Sequence, residues 1–189
     1  MKCTELVIND HSILRRGLDI LQGMVQKLEN GERIEIADVT AVLNFLRDFG
    51  DEYHQFMEEK VLFPALLRAI PQDRALHHML FEHDEERALV AGIEDALRYK
   101  SGRNFVETSR QLLVLLRDHL NKEDALLRDM AEGLLSAEQD DIVAAEFAKN
   151  RRQPEMYADF SRLECKYMGK PQVSPVTPDD GYARAHRSA

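Results

Sequence analysis

Tyr53-His54-Gln55-Phe56-Met57-Glu58-Glu59-Lys60-Val61-Leu62-Phe63-Pro64 places a histidine and a glutamate four residues apart within an apolar run. On a helix, residues four apart lie one above the other on the same face, so this imidazole and this carboxylate point the same way. The apolar positions around them say which way that is. Val39, Leu43, Leu46, Gly50, His54, Glu58, Leu62 and Ala65 share one face and predict a helix from about Ala37 to Ala69. His54 and Glu58 therefore belong to a stripe that must be buried. Pro64 removes a backbone donor and predicts a bend near the end of that helix.

The same reading extends in both directions. Val7, His11, Leu14, Leu18, Leu21, Val25 and Leu28 alternate spacings of four and three and predict a first helix from about Glu5 to Glu29, with Asn30-Gly31 as its left-handed stop. Pro71 suits the first turn of a third helix reaching about Lys100, with Leu76, Met79 or Leu80, His83, Val90, Ile93 and Leu97 inward. Ser101-Gly102 breaks the chain. Asn104-Phe105-Val106-Glu107 has the form of a capping box for a fourth helix, with Leu112, Leu116, His119, Glu123, Leu126 and Met130 inward and Gly133 as its end.

Long helices joined by short turns make antiparallel neighbours, so residues 1–133 are expected as an all-α, up-down-up-down four-helix bundle. Ser136-Ala137-Glu138-Gln139 opens a short fifth helix, and Pro154 a sixth carrying Met156, Phe160, Leu163 and Tyr167. Residues 134–168 are thus expected as a helical extension packed on the bundle. The proline-rich stretch within 169–189 is expected to be disordered.

Composition narrows the function classes. The 189 residues suffice for one core plus an extension, and 31% charged residues with no Trp suit an all-helical soluble protein. A formal net charge of −9 leaves no basic surplus to neutralise phosphates, which argues against nucleic acid or an anionic membrane as the partner. It suits a protein that attracts cations, and serves solubility equally well. Cys3 and Cys165 stand far apart with no CxxC spacing, which argues against a disulfide framework or a thiolate metal site. The opening MKCTELVINDH lacks the apolar core of a secretory signal, and the longest apolar stretch, Val61 to Leu67, is too short to span a bilayer. A cytoplasmic location follows as the expectation.

Two fragments repeat. Asp10-His11-x-x-x-Arg15 matches Glu82-His83-x-x-x-Arg87, and His54-x-x-x-Glu58-Glu59 matches His119-x-x-x-Glu123-Asp124. Four histidines and two glutamates thus fall in two pseudo-symmetric sets, each residue inside an apolar stripe. A buried carboxylate left unpaired costs several kcal/mol, so His11, His54, Glu58, His83, His119 and Glu123 satisfy one another best around cations. Imidazole and carboxylate without thiolate suit iron, manganese or zinc. Two glutamates able to bridge suit a dinuclear centre, and six protein ligands for two ions leave positions open for a small molecule.

The run from Tyr53 to Pro64, with Glu82-His83 and His119-x-x-x-Glu123, resembles the hemerythrin-like HHE cation-binding domain over about residues 4–132. The resemblance implies an oxo- or hydroxo-bridged pair of iron ions that meets O2, nitric oxide or peroxide, with manganese or zinc as lesser choices. It implies the same six residues as ligands, Glu58 and Glu123 bridging. The oxygen-carrying hemerythrins have a histidine four residues before the position of His83. Met79 stands there instead, so a five-histidine oxygen carrier is not expected. The doubled pattern is more similar to di-iron proteins that repair iron–sulfur clusters.

Three functions follow as alternatives. The chain binds O2 or nitric oxide for sensing or storage, or turns over peroxide or nitric oxide or delivers iron, or is a metal-stabilised interaction module. Electron donor and protein partner stay open. Around the six, Glu59 and Asp124 either support the ligands or ligate themselves, and Arg15 and Arg87 either brace carboxylates or stand as solvated charge. Tyr53 either approaches the site or packs in the core. His77 and His78 are read as surface residues and His186 as idle.

Overall fold

The computed structural model describes residues 1–151 and 159–169, and it is helical with no strand among them. Helix α1 spans Lys2–Glu29. Helix α2 is one rod whose character changes along its length: Ile36–Phe45 is α-helical, Leu46–Gln55 and Glu58–Leu62 are π-helical, and Phe63–Leu67 is α-helical again. Helix α3 spans Arg74–Arg98, α4 Gly102–Leu134, α5 Ala137–Asn150 and α6 Phe160–Met168.

The wide turns of α2 answer to its sequence. From Leu46 to Leu62 its buried positions recur at fours: Leu46, Gly50, His54, Glu58 and Leu62. A regular α-helix advances about 100° per residue, so a four-residue repeat would drift about 40° round the rod at each step. Widening to i→i+5 hydrogen bonding turns the chain less per residue, which opposes that drift, and all five face inward. Pro64 falls where the rod returns from π-helical to α-helical turns.

Contacts between the long helices run in opposite senses. Along α1 and α2, Leu14 meets Gly50 and Gly17 meets Phe45. Along α2 and α3, Arg47 pairs with Glu94 and Asp51 with Arg87. Along α3 and α4, Glu82 meets Lys122 and Gly92 meets Thr108. Along α4 and α1, Asp124 pairs with Arg15 and Arg117 with Asp19. Each helix thus lies between two others, and their inner faces form one core that includes Leu18, Met24, Leu43, Leu62, Ile93 and Leu116.

Two caps differ from the sequence expectation. Pro71 lies in a turn, and Asp73 caps α3 by accepting from the Leu76 N–H at 2.9 Å. Ser101, not Asn104, caps α4, accepting from the Asn104 N–H at 3.3 Å. At each helix start a short polar side chain, Asp73 two residues after Pro71 and Ser101 three before Asn104, reaches the free N–H groups. Ser136 and Gln139 do form a capping box at the start of α5.

The two C-terminal helices pack on α1. Asp140 of α5 accepts from the Lys2 and Cys3 N–H groups at 3.1 and 3.0 Å, so it caps α1, whose own first residue offers no side-chain cap. On α6, Phe160 meets Phe45 edge-on with ring centres 4.7 Å apart. Asp38 of α2 gathers Arg162 at 2.8 Å, Lys166 at 2.5 Å and the Tyr167 hydroxyl at 2.7 Å. Pro154, Met156, His186 and the expected disordered tail beyond Gly169 lie outside the described residues.

Candidate metal centre

Glu58 sits at the middle of the bundle, fully buried, with its two oxygens turned in different directions. Oε1 lies 3.2 Å from His54 Nε2 and 3.8 Å from His11 Nε2, while Oε2 lies 3.5 Å from His83 Nε2. Glu123 Oε2 stands 3.3 Å from both His11 Nε2 and His119 Nε2. His83 Nε2 and His119 Nε2 face each other at 3.2 Å. The six side chains fall into two overlapping groups, one of His11, His54, Glu58 and Glu123 and one of Glu58, His83 and His119. Within each group the donor atoms lie within 4.8 Å of one another. Each of the four long helices supplies one histidine, and α2 and α4 each add a glutamate one turn on.

These atoms fit cations better than they fit one another. His11 Nε2, both ring nitrogens of His54, and both oxygens of Glu58 and of Glu123 have no hydrogen-bond partner although they are buried. Buried polar atoms are normally satisfied, and each one left alone costs on the order of 1–3 kcal/mol. Two donors each about 2.1 Å from one ion at a right angle stand about 3 Å apart. The closest approaches of 3.2–3.5 Å here are near that separation.

Without metal, protons supply the positive charge. Burial disfavours the charged form of His11, but Asp124, Glu123 and Glu58 overcome it and hold this imidazole well above its ordinary range. His119 is likewise raised against its burial, to about 9, by Glu123 and Glu82. Burial drives His83 the other way, downward. Glu123, despite full burial, is held well below the usual carboxylate range by His11 and His119.

The outer ring nitrogens explain why the inner ones all face the centre. His11 Nδ1 donates to Asp124 Oδ1 at 2.6 Å, His83 Nδ1 to Glu59 Oε1 at 3.0 Å, and His119 Nδ1 to Glu82 Oε2 at 2.9 Å. The fourth, His54 Nδ1, has Asp10 Oδ2 at 3.9 Å, short of a hydrogen bond. At His11, His83 and His119 the N–H fixed at Nδ1 leaves the lone pair at Nε2, which orients these three imidazoles for coordination. The four acids run in sequence round the bundle: Asp10 of α1 faces His54, Glu59 of α2 faces His83, Glu82 of α3 faces His119, and Asp124 of α4 faces His11. Arg15 holds the other oxygen of Asp124 at 2.7 Å, and Arg87 bonds to Glu59 and Asp51 at 2.6 and 2.8 Å.

Glu59 and Asp124 therefore touch the outer edges of the imidazoles, and both arginines brace carboxylates. Tyr53 is buried beside Phe49, with ring centres 5.4 Å apart. His77 and His78 are exposed, though His78 Nε2 also reaches Glu82 at 3.2 Å. Met79 is buried in the core.

Asp10 and Glu82 received no role from sequence, although each directly precedes a histidine in the same place in both repeats. Glu86 and Gln55, buried and joined by a hydrogen bond, were missed altogether. Their one trace was a seven-residue gap, His83 to Val90, in the inner stripe of α3.

Comparison with curated proteins and with solved structures finds no match. A family model does match, and it covers residues 4–131, a segment holding all six inner residues and the four acids behind them. The chain belongs to the hemerythrin HHE cation-binding domain family.

Proposed function

We propose that this chain is a non-haem di-iron protein, an up-down-up-down four-helix bundle over residues 1–133, that binds or reacts with O2, nitric oxide or peroxide. The reading rests above all on Glu58, whose oxygens divide between the two groups of histidines. A carboxylate placed so belongs between two ions rather than on one. Glu123, within 3.3 Å of a histidine from each group, has the same relation from the opposite helix. His11, His54, His83 and His119 complete the set, and iron is the choice because imidazole and carboxylate suit it and the family's chemistry is with small oxidants.

When bound, the two ions supply electrons and open positions for a small molecule. The chain's own part is to hold His11, His83 and His119 in one tautomer through their carboxylate partners and to keep bulk water away. Phe63, stacked on the His83 ring at 6.0 Å, contributes to that dry wall. With Met79 in place of a fifth histidine, stress protection against peroxide or nitric oxide fits better than oxygen carriage. Cys3 and Cys165 are both free thiols, and among the described residues no helix is long and apolar enough to cross a membrane. A cytoplasmic protein acting on a small molecule, rather than on nucleic acid or a membrane, accords with these features.

The test is to mix the anaerobic ferrous protein separately with O2, nitric oxide and peroxide and follow it by optical and Mössbauer spectroscopy. A magnetically coupled diferric product with at least one of the three is expected. Isolated ferric ions, or no reaction with any of them, would refute the reading.

A further inference from the structure

One buried acid is not used by the proposed centre. Glu86 is 3% exposed and lies on the turn of α3 that follows His83, pointing into the bundle. Its hydrogen-bond partner is Gln55 of α2, which follows His54 directly and is also buried, and the other end of that amide, Gln55 Oε1, has no partner. No Lys or Arg among the described residues pairs with Glu86. The nearby cations are taken: Arg87 by Glu59, Asp51 and Asp84, and Arg47 by Glu94 and Asn44.

A cleft of about 190 Å³ between α2 and α3 has Glu86 in its wall, together with Arg47, Asp51, Val90 and Glu94. The groups facing Glu86 are Asp51, His54 and Gln55 from α2 and His119 from α4, while Leu14 of α1 packs at Gly50 beside it. Glu86 thus stands between an opening to solvent and the metal centre.

We infer that Glu86 carries protons between the α2–α3 cleft and the metal centre, so that reduction of peroxide there draws its protons through this carboxyl. The inference rests on the proposed function. Reducing hydrogen peroxide to two waters consumes two electrons, one from each of two ferrous ions, and two protons. As the O–O bond breaks, the O–H bond of Glu86 breaks and a new O–H bond forms on one of the two oxygens; once the acid is restored, a second proton passes in the same way to the other, giving two waters. The carboxylate left behind accepts from Gln55 N–H, and a proton entering by the cleft restores the acid.

Gln55 suits both states. Its N–H can donate to the carboxylate, and after a half-turn of the amide its unpartnered oxygen can accept from the protonated acid. Full burial pushes the acid up to about 7, so both states are populated near neutral pH.

Stopped-flow reaction of the ferrous full chain with hydrogen peroxide tests this, with iron per chain measured on the same samples. Glu86→Gln is expected to keep two irons, to react about 100-fold more slowly at neutral pH, the scale of general acid assistance, and to lose the pH dependence near 7. Glu86→Ala is expected to regain rate when formate, a small acid able to enter the cleft, is added. An independent readout is the carbon-13 signal of the glutamate carboxyls in the zinc-loaded chain. One should titrate near 7 and vanish in Glu86→Gln.

A Glu86→Gln chain with two irons and an unchanged rate overturns the inference alone, as does the absence of any carboxyl titrating near 7. A Glu86→Gln chain that holds fewer than two irons overturns it too, since Glu86 would then be a ligand or a support of one. Fewer than two irons in the unmodified chain overturns the proposed function and the inference with it.

Discussion

Asp124 shows how much of the centre is made by residues that would not touch a metal. One oxygen holds His11 by its outer nitrogen and the other is held by Arg15. Such outer partners typically matter 10- to 100-fold in metal affinity. Asp124→Ala is therefore expected to weaken iron binding by about that factor while leaving two irons per chain at saturation, as read by competition with a chelator. An affinity unchanged within twofold would contradict this role. Protonation makes a second prediction. His119, raised to about 9, and His11, raised well above its ordinary range, both carry a proton at pH 7 in the metal-free chain. A histidine ligates only when neutral. Loading at pH 7 should thus release at least about two protons, and apparent affinity should climb as pH rises toward 9. Proton release in weakly buffered solution measures it, and none released would contradict the assignment.

Helix α2 marks how far the sequence could be read at the scale of an element. Its inward face was legible because every position of the stripe from Val39 to Ala65 is buried. Its π-helical turns were not legible, although the run of fours from Leu46 to Leu62 accompanies them, because apolar spacing tells which residues face inward and not how the backbone turns to put them there. In α3 the buried Glu86 left only a gap, since a search for apolar residues skips an acid in the core. The starts of α3 and α4 differ from the expected ones for simpler reasons: Pro71 suits a turn as well as a first helical position, and Ser101 and Asn104 stand so close that local sequence does not say which one reaches the free N–H groups. Helix α6 supplies a prediction of its own. A Cβ on Gly23 of α1 would stand 2.4 Å from the Tyr167 carbonyl oxygen, a backbone atom that cannot swing aside. Gly23→Ala should push α6 off α1 at a cost of about 1–3 kcal/mol. Amide hydrogen exchange over Phe160–Met168 should quicken while iron loading stays the same. Unchanged exchange there would show that the contact gives way more easily than the geometry implies.

Across the whole molecule the two sequence repeats become one closed arrangement. The first supplies His11, His54 and Glu58 from α1 and α2, the second His83, His119 and Glu123 from α3 and α4, and each helix also sends an acid to the histidine of the next. That closure was only half visible in the sequence: the repeats and the inner residues stood out, but which acid serves which histidine depends on how the helices are placed round the core. The family match ends at residue 131, and the extension in α5 and α6 lies beyond it. It caps α1 through Asp140 and grips α2 through Asp38. If the six inner residues hold two ions with Glu58 between them, the iron content per chain must show it. The measurement is elemental analysis after anaerobic ferrous loading and desalting, on the unmodified chain beside Glu58→Ala. About two irons are expected for the former and a clear fall below two for the latter. One iron or none in the unmodified chain, or two retained in the variant, would contradict it.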